Sequence, residues 1–105
     1  MGITYNKLVR DRIPEIIAAN GQVCSTRILE EEEYLKMLDA KLSEELAEYH
    51  QDQNVEELAD LLEVIYAAAE ARGVCADQLE QIRQRKAMER GGFHKRILLM
   101  EVRDK

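Results

Sequence analysis

Two short stretches of the chain carry paired carboxylates at a spacing that suits metal chemistry. They are residues 43–48 (SEELAE) and residues 56–60 (EELAD). In each stretch, acidic residues three positions apart share one face of a helix, with Cβ atoms roughly 5–6 Å apart. A single pair of this kind is usually a solvated helix face. Four carboxylates that converge on one place repel each other unless a cation is present, and oxygen ligands suit Mg²⁺, Mn²⁺ or Ca²⁺.

The helical register of the first stretch separates its carboxylates. Apolar residues recur every three or four positions between residues 31 and 50, which predicts an amphipathic helix. They are Leu35, Leu38, Leu42, Leu46 and Tyr49. At about 100° per residue, Glu45 lies roughly 60° from the centre of this apolar stripe and Glu48 roughly 120° from it. Glu44 lies roughly 160° away, so the register places it on the solvent side.

The second stretch begins another predicted helix, over residues 55–72. Asn54 is a good N-cap, and Gly73 is a typical residue after a helix C-terminus. Glu57 and Asp60 lie on or beside the apolar face of this helix, which is apolar on more than one side. The polar break at residues 51–54 is short, so the two helices should form an antiparallel hairpin. Such a hairpin brings the two acidic pairs together.

The rest of the chain predicts a mainly α fold, an antiparallel helical bundle completed by dimerisation. A short helix should begin at Pro14 and end at Asn20-Gly21, and another should run from an Asp77 cap to residue 89. The apolar segments 23–29 and 97–102 have strand length and are candidates for a small β-ribbon, which would need helix packing to be stable.

Length and composition exclude several classes of protein. With 105 residues, the chain corresponds to one domain, residues 1–105. Its net charge of −6 argues against a binder of nucleic acid polymers or of an anionic membrane surface. It has no apolar run of signal-peptide or membrane-spanning length. Cys24 and Cys75 lack a CxxC partner, so we expect partly buried, reduced thiols in a cytoplasmic protein.

Three segments together resemble a known superfamily. Residues 44–60 are similar to the EExxE…ExxD signature of the MazG-like and phosphoribosyl-ATP pyrophosphohydrolase superfamily. Residues 86–93 (KAMERGGF) resemble the K-x-x-x-R-G-G-F stretch that follows the last helix in that group. Residues 5–14 (YNKLVRDRIP) are similar to a small single-domain branch of house-cleaning nucleotide pyrophosphatases. The gap of eight residues between Glu48 and Glu57 is shorter than in many MazG-like members.

The resemblance implies an α-helical enzyme that uses Mg²⁺, or Mn²⁺, to cleave the α–β phosphoanhydride of a nucleoside triphosphate and release pyrophosphate. The implied metal ligands are Glu45, Glu48, Glu57 and Asp60. A carboxylate near the attacking water would accept its proton, and Glu45 and Glu48 are the candidates, with Glu44 a third if its side chain turns inward. The basic residues expected to bind phosphate groups are Lys7, Arg10, Lys86 and Arg90.

Alternative functions differ in substrate or in class. Phosphoribosyl-ATP pyrophosphohydrolase of histidine biosynthesis performs the same chemistry on another nucleotide. A non-catalytic helical module would use the same faces to dimerise. A di-iron centre is disfavoured because it would need a Glu-x-x-His pair, and position 47, three before His50, is Ala. For the enzyme we expect a homodimer or a dimer of dimers, because residues 55–72 expose apolar side chains on several sides.

Overall fold

A computed structural model describes residues 2–105, and within this span it contains four α-helices. They are α1 (Ile13–Ala19), α2 (Glu31–Asp52), α3 (Val55–Ala71) and α4 (Ala76–Arg90). The predicted mainly α fold is confirmed, and each helix begins and ends within two residues of its expected position. Among residues 2–105, no helix has both the length and the apolar character that are needed to cross a membrane.

The helix ends show which local signals act. The Asn54 side chain caps α3 as predicted, accepting a hydrogen bond of 3.0 Å from the backbone N–H of Glu57. Gly73 adopts a left-handed φ of 85° just after α3. The predicted cap of α4 was wrong. Cys75, not Asp77, precedes this helix, because the Gln78 side chain accepts a hydrogen bond of 2.9 Å from the Cys75 backbone N–H and the helix starts two residues earlier than an Asp77 cap would allow.

The hairpin of α2 and α3 forms the centre of the fold, and among the helices of residues 2–105 α4 packs only on α3. Within the described part of the chain, the buried apolar core is very small and consists of Leu38 and Val64. The molecule is elongated, with extents of 66 × 31 × 23 Å and a radius of gyration of 18.6 Å. A compact chain of this length would have a radius of gyration of about 13 Å. The hairpin therefore positions the acidic residues while leaving much apolar surface uncovered.

The segments outside the helices correct two expectations. The β-ribbon does not form, since the described residues contain no strand and both segments are exposed, with Val23 99% and Leu98 83% accessible. An isolated two-stranded ribbon is unstable without a layer to pack on, and no helix covers these segments. Cys24 and Cys75 are free thiols as expected, but they are exposed rather than partly buried. Both lie outside the helices.

Candidate metal centre

The packing of α2 on α3 gathers five carboxylates, which we call the carboxylate cluster. It consists of Glu44, Glu45, Glu48, Glu57 and Asp60. Oxygens of Glu45, Glu57 and Asp60 lie within 4.8 Å of one another. Oxygens of Glu44, Glu45 and Glu48 form a second group within the same limit. Glu45 belongs to both groups, so all four residues predicted as metal ligands lie in one place.

Two oxygens of the cluster are buried and have no hydrogen-bond partner. They are Oε2 of Glu45 and Oε2 of Glu57. The Glu45 residue is only 7% exposed. Its other carboxylate oxygen, Oε1, does have a partner and lies 3.2 Å from the ammonium group of Lys41. An unpartnered buried polar atom costs about 1–3 kcal/mol. A hard divalent cation would satisfy such oxygens, so the donor set fits Mg²⁺ or Mn²⁺.

Mutual repulsion within the cluster changes the proton affinity of its members. The negative charge of Glu45, together with partial desolvation, raises the pKa of Glu48. Desolvation, followed by the charge of Glu48, raises the pKa of Glu57. Both shifts mean that an added negative charge is unfavourable at this place. The positive charge of Lys41, beside Glu45, therefore does not fully compensate the negative charge of the cluster.

Glu44 departs from the predicted solvent-facing position. Its Oε1 accepts a hydrogen bond of 3.0 Å from Lys7, and its Oε2 lies 3.6 Å from Lys41. Partial desolvation acts to raise the pKa of Glu44, but the hydrogen bond from Lys7 and the neighbouring lysine charges outweigh it and hold the pKa below its usual value. The helical register alone did not predict this, because Lys7, from the segment before α1, contacts a side chain that the register assigned to solvent and leaves it 30% exposed.

Two of the predicted basic residues contact the cluster. Lys7 binds Glu44, and this hydrogen bond raises the pKa of the lysine. The Nη2 atom of Arg10 donates a hydrogen bond of 2.7 Å to Oδ1 of Asp60. Lys41 is a cluster cation that sequence reasoning missed. Its signal was available, because it lies three and four positions before Glu44 and Glu45 on the same helix.

The other two predicted basic residues lie on a separate surface. Lys86 and Arg90 are on α4, where they line an open cleft together with Gly91, Gly92 and Phe93. Within residues 2–105, no ion pair or hydrogen bond joins them to the carboxylate cluster. Phe93 is 97% exposed and is therefore not part of the core of one chain. The structure brings together the acidic residues with Lys7 and Arg10, but not with this cleft.

Comparisons with known proteins give one partial relative. No protein-family profile matches the chain, and no solved structure matches it. A curated protein of Mycolicibacterium smegmatis, described as an uncharacterized protein, is 57% identical over 42 residues. The match covers 40% of this chain and 43% of that protein, so the chain spans less than half the length of its relative.

Proposed function

We propose that this chain is a Mg²⁺-dependent nucleoside triphosphate pyrophosphohydrolase of the MazG-like type. One observation carries the proposal: carboxylates from two helices converge around a buried Glu45, and two of their buried oxygens have no partner. Protein interiors avoid such an arrangement unless it serves a purpose. The order of the three resembling segments along the sequence supports the same function.

The four carboxylates of Glu45, Glu48, Glu57 and Asp60 would hold the ion. Bound Mg²⁺ would neutralise charge on the phosphate oxygens and acidify a water molecule. Of the two candidates for general base, Glu48 is the better placed, because Oε1 of Glu45 is engaged by Lys41 and the rest of its side chain is buried. Lys7 and Arg10 lie at the edge of the cluster and supply positive charge where triphosphate oxygens would come.

A homodimer is part of this proposal. The apolar face of α3 includes Leu58, Leu62 and Ile65, which are 42%, 44% and 36% exposed, and Leu46 on α2 is 43% exposed. Positions 58, 62 and 65 follow helical spacing, so they form one continuous stripe. A single chain with so little buried apolar surface gains little stability from its own core. A second copy that covers the stripe would supply the missing burial, and two dimers could associate further.

A pyrophosphate-release screen tests the activity. The panel contains standard, oxidised and deaminated nucleoside triphosphates together with phosphoribosyl-ATP, each with Mg²⁺ and with Mn²⁺. We expect release from at least one nucleotide, and loss of release in both Glu48→Gln and Asp60→Asn with helicity unchanged. Glu63→Gln, an exposed residue of α3, is the matched control for the loss of one charge and should retain activity. Full activity in both cluster variants would end the proposal.

The alternatives are separated by the same set of measurements. Preference for phosphoribosyl-ATP over all triphosphates would assign the chain to the histidine-biosynthesis activity. A non-catalytic dimerisation module would release no pyrophosphate. Its melting temperature would also be unchanged by Mg²⁺ with a nonhydrolysable nucleotide, whereas either enzyme would be stabilised by a ligand that binds only the folded state.

A further inference from the structure

The segment before α1, residues 2–12, makes two long-range contacts, and we call it the N-terminal arm. It has no regular secondary structure. Lys7 nevertheless binds Glu44, 37 positions away, and Arg10 binds Asp60, 50 positions away. One contact is made to α2 and the other to α3. The arm therefore spans the helical hairpin at the carboxylate cluster.

The two carboxylates that the arm contacts belong to different groups of the carboxylate cluster. Asp60 belongs to the group of three carboxylates centred on Glu45, whose Oε2 is buried and unpartnered. Glu44 lies outside that group. Arg10 therefore occupies a carboxylate that the ion would need, whereas Lys7 does not. The five carboxylates of the cluster face three cations, namely Lys7, Arg10 and Lys41, which leaves a formal deficit of two positive charges.

We propose that Arg10 is an internal counter-cation that competes with a divalent metal ion for Asp60 and leaves this carboxylate when the ion binds. The inference rests on the proposed function, since it takes the cluster as the site of a divalent ion. Lys7 keeps its contact with Glu44 and holds the arm beside the cluster. Arg10 is then free, and close enough, to bind an anionic group of the substrate.

The exposure of the contacts agrees with this exchange. The side chains of Arg10 and Asp60 are 56% and 44% exposed. An ion pair that is this accessible to water is weak. An ion that several carboxylates hold at once can displace it. Removing the competitor should therefore tighten divalent-ion binding by about two- to five-fold, the range expected for the loss of one exposed ion pair.

The experiment uses the full chain, with Mg²⁺ alone as the probe. Calorimetry measures Mg²⁺ affinity in the wild type, Arg10→Gln and Arg12→Gln. Arg12 is the matched control, because it also lies at the end of the arm but contacts Glu15 of α1, at 3.6 Å. In the wild type, the side-chain Nε–H signal of Arg10, assigned by its loss in Arg10→Gln, is followed by NMR during the Mg²⁺ titration.

We expect Mg²⁺ to move the Arg10 signal towards that of a free arginine, and Arg10→Gln to bind Mg²⁺ two- to five-fold more tightly than Arg12→Gln. If Mg²⁺ binds while the Arg10 signal stays fixed, or if Arg10→Gln binds no more tightly than Arg12→Gln, the inference is overturned and the proposed function stands. If Mg²⁺ binds to none of the three proteins, the proposed function falls and the inference falls with it.

Discussion

Replacing Glu45 by Gln should stabilise the metal-free protein while removing its response to metal ions. Gln keeps the shape of the side chain but carries no charge. In the structure, Glu45 is 7% exposed, its Oε2 has no partner, and oxygens of Glu57 and Asp60 lie within 4.8 Å of its carboxylate. An amide N–H₂ at that place can donate to a neighbouring carboxylate, where a carboxylate oxygen can only repel it.

The magnitude follows from two opposing effects. Relief of one unpartnered buried oxygen is worth about 1–3 kcal/mol. Both side chains of the Lys41–Glu45 pair are mostly buried, so removing this acceptor outright would be costly. In Glu45→Gln the loss is held to about 1 kcal/mol, because the amide oxygen can still accept a hydrogen bond from Lys41, which also keeps its contact with Glu44, at 3.6 Å. The free energy of unfolding should therefore rise by about 1 kcal/mol in the absence of divalent ions. This sign is unusual for a substitution in a buried position, where most changes destabilise.

Urea unfolding followed by circular dichroism measures the effect, at pH 7 in EDTA and at fixed protein concentration. With a slope of about 2 kcal/mol per molar urea, the midpoint should rise by about 0.5 M. Glu63→Gln removes the same charge from an exposed position on α3 and should leave the midpoint nearly unchanged. Mg²⁺ at a hundred times its dissociation constant should add about 2.7 kcal/mol to the wild type and to Glu63→Gln, and much less to Glu45→Gln. A lower midpoint than Glu63→Gln, together with an undiminished response to Mg²⁺, would refute this reasoning.

Three further outcomes follow from the same structure. Repulsion by Glu45 and desolvation raise the pKa values of Glu48 and Glu57 respectively, so these two carboxylates bind protons more tightly in the folded than in the unfolded state. Their contribution to the stability of the metal-free protein is therefore larger near pH 5 than at pH 7. In urea melts, Glu57→Gln should become more stable relative to the wild type as the pH rises from 5 to 7. Leu62→Glu places a charge in the exposed apolar stripe of α3. In sedimentation velocity at micromolar concentration, we expect the wild type to be a dimer and this variant a monomer. A wild-type monomer under these conditions would contradict the proposed assembly. Asn54→Ala removes the side chain that accepts a hydrogen bond from the backbone N–H of Glu57, and it should lower the free energy of unfolding by about 1 kcal/mol. Asn54→Asp keeps an acceptor and should be close to neutral. Equal losses in both variants would argue against the cap.

The helices and the acidic cluster were predictable because their signals are local. Periodic apolar residues and the Asn54 cap determine where α2 and α3 lie, and a two-residue connection leaves few ways to pack them. Once the hairpin forms, helical spacing places Glu45 and Glu48 beside Glu57 and Asp60. The same spacing could have identified Lys41 as an internal counter-ion of the cluster.

What could not be predicted depends on contacts between distant residues. The helical register placed Glu44 on the solvent side, and no pattern in residues 2–12 predicts that Lys7 binds it, because the two residues are 37 positions apart. Residues 23–29 and 97–102 have strand-like composition, but strand formation needs a paired and packed partner, which these segments lack within the described chain. The start of α4 depends on the Gln78 side chain, a capping interaction that competes with the stronger intrinsic preference of Asp77.

The central claim is that the carboxylate cluster holds a hard divalent cation, and anomalous diffraction from crystals grown with Mn²⁺ tests it most directly. We expect one or more anomalous peaks within about 2.5 Å of carboxylate oxygens from both α2 and α3, with Glu45 among the ligands. Peaks only at other acidic surfaces, or side chains of Glu45, Glu48, Glu57 and Asp60 turned apart towards solvent at saturating Mn²⁺, would contradict it.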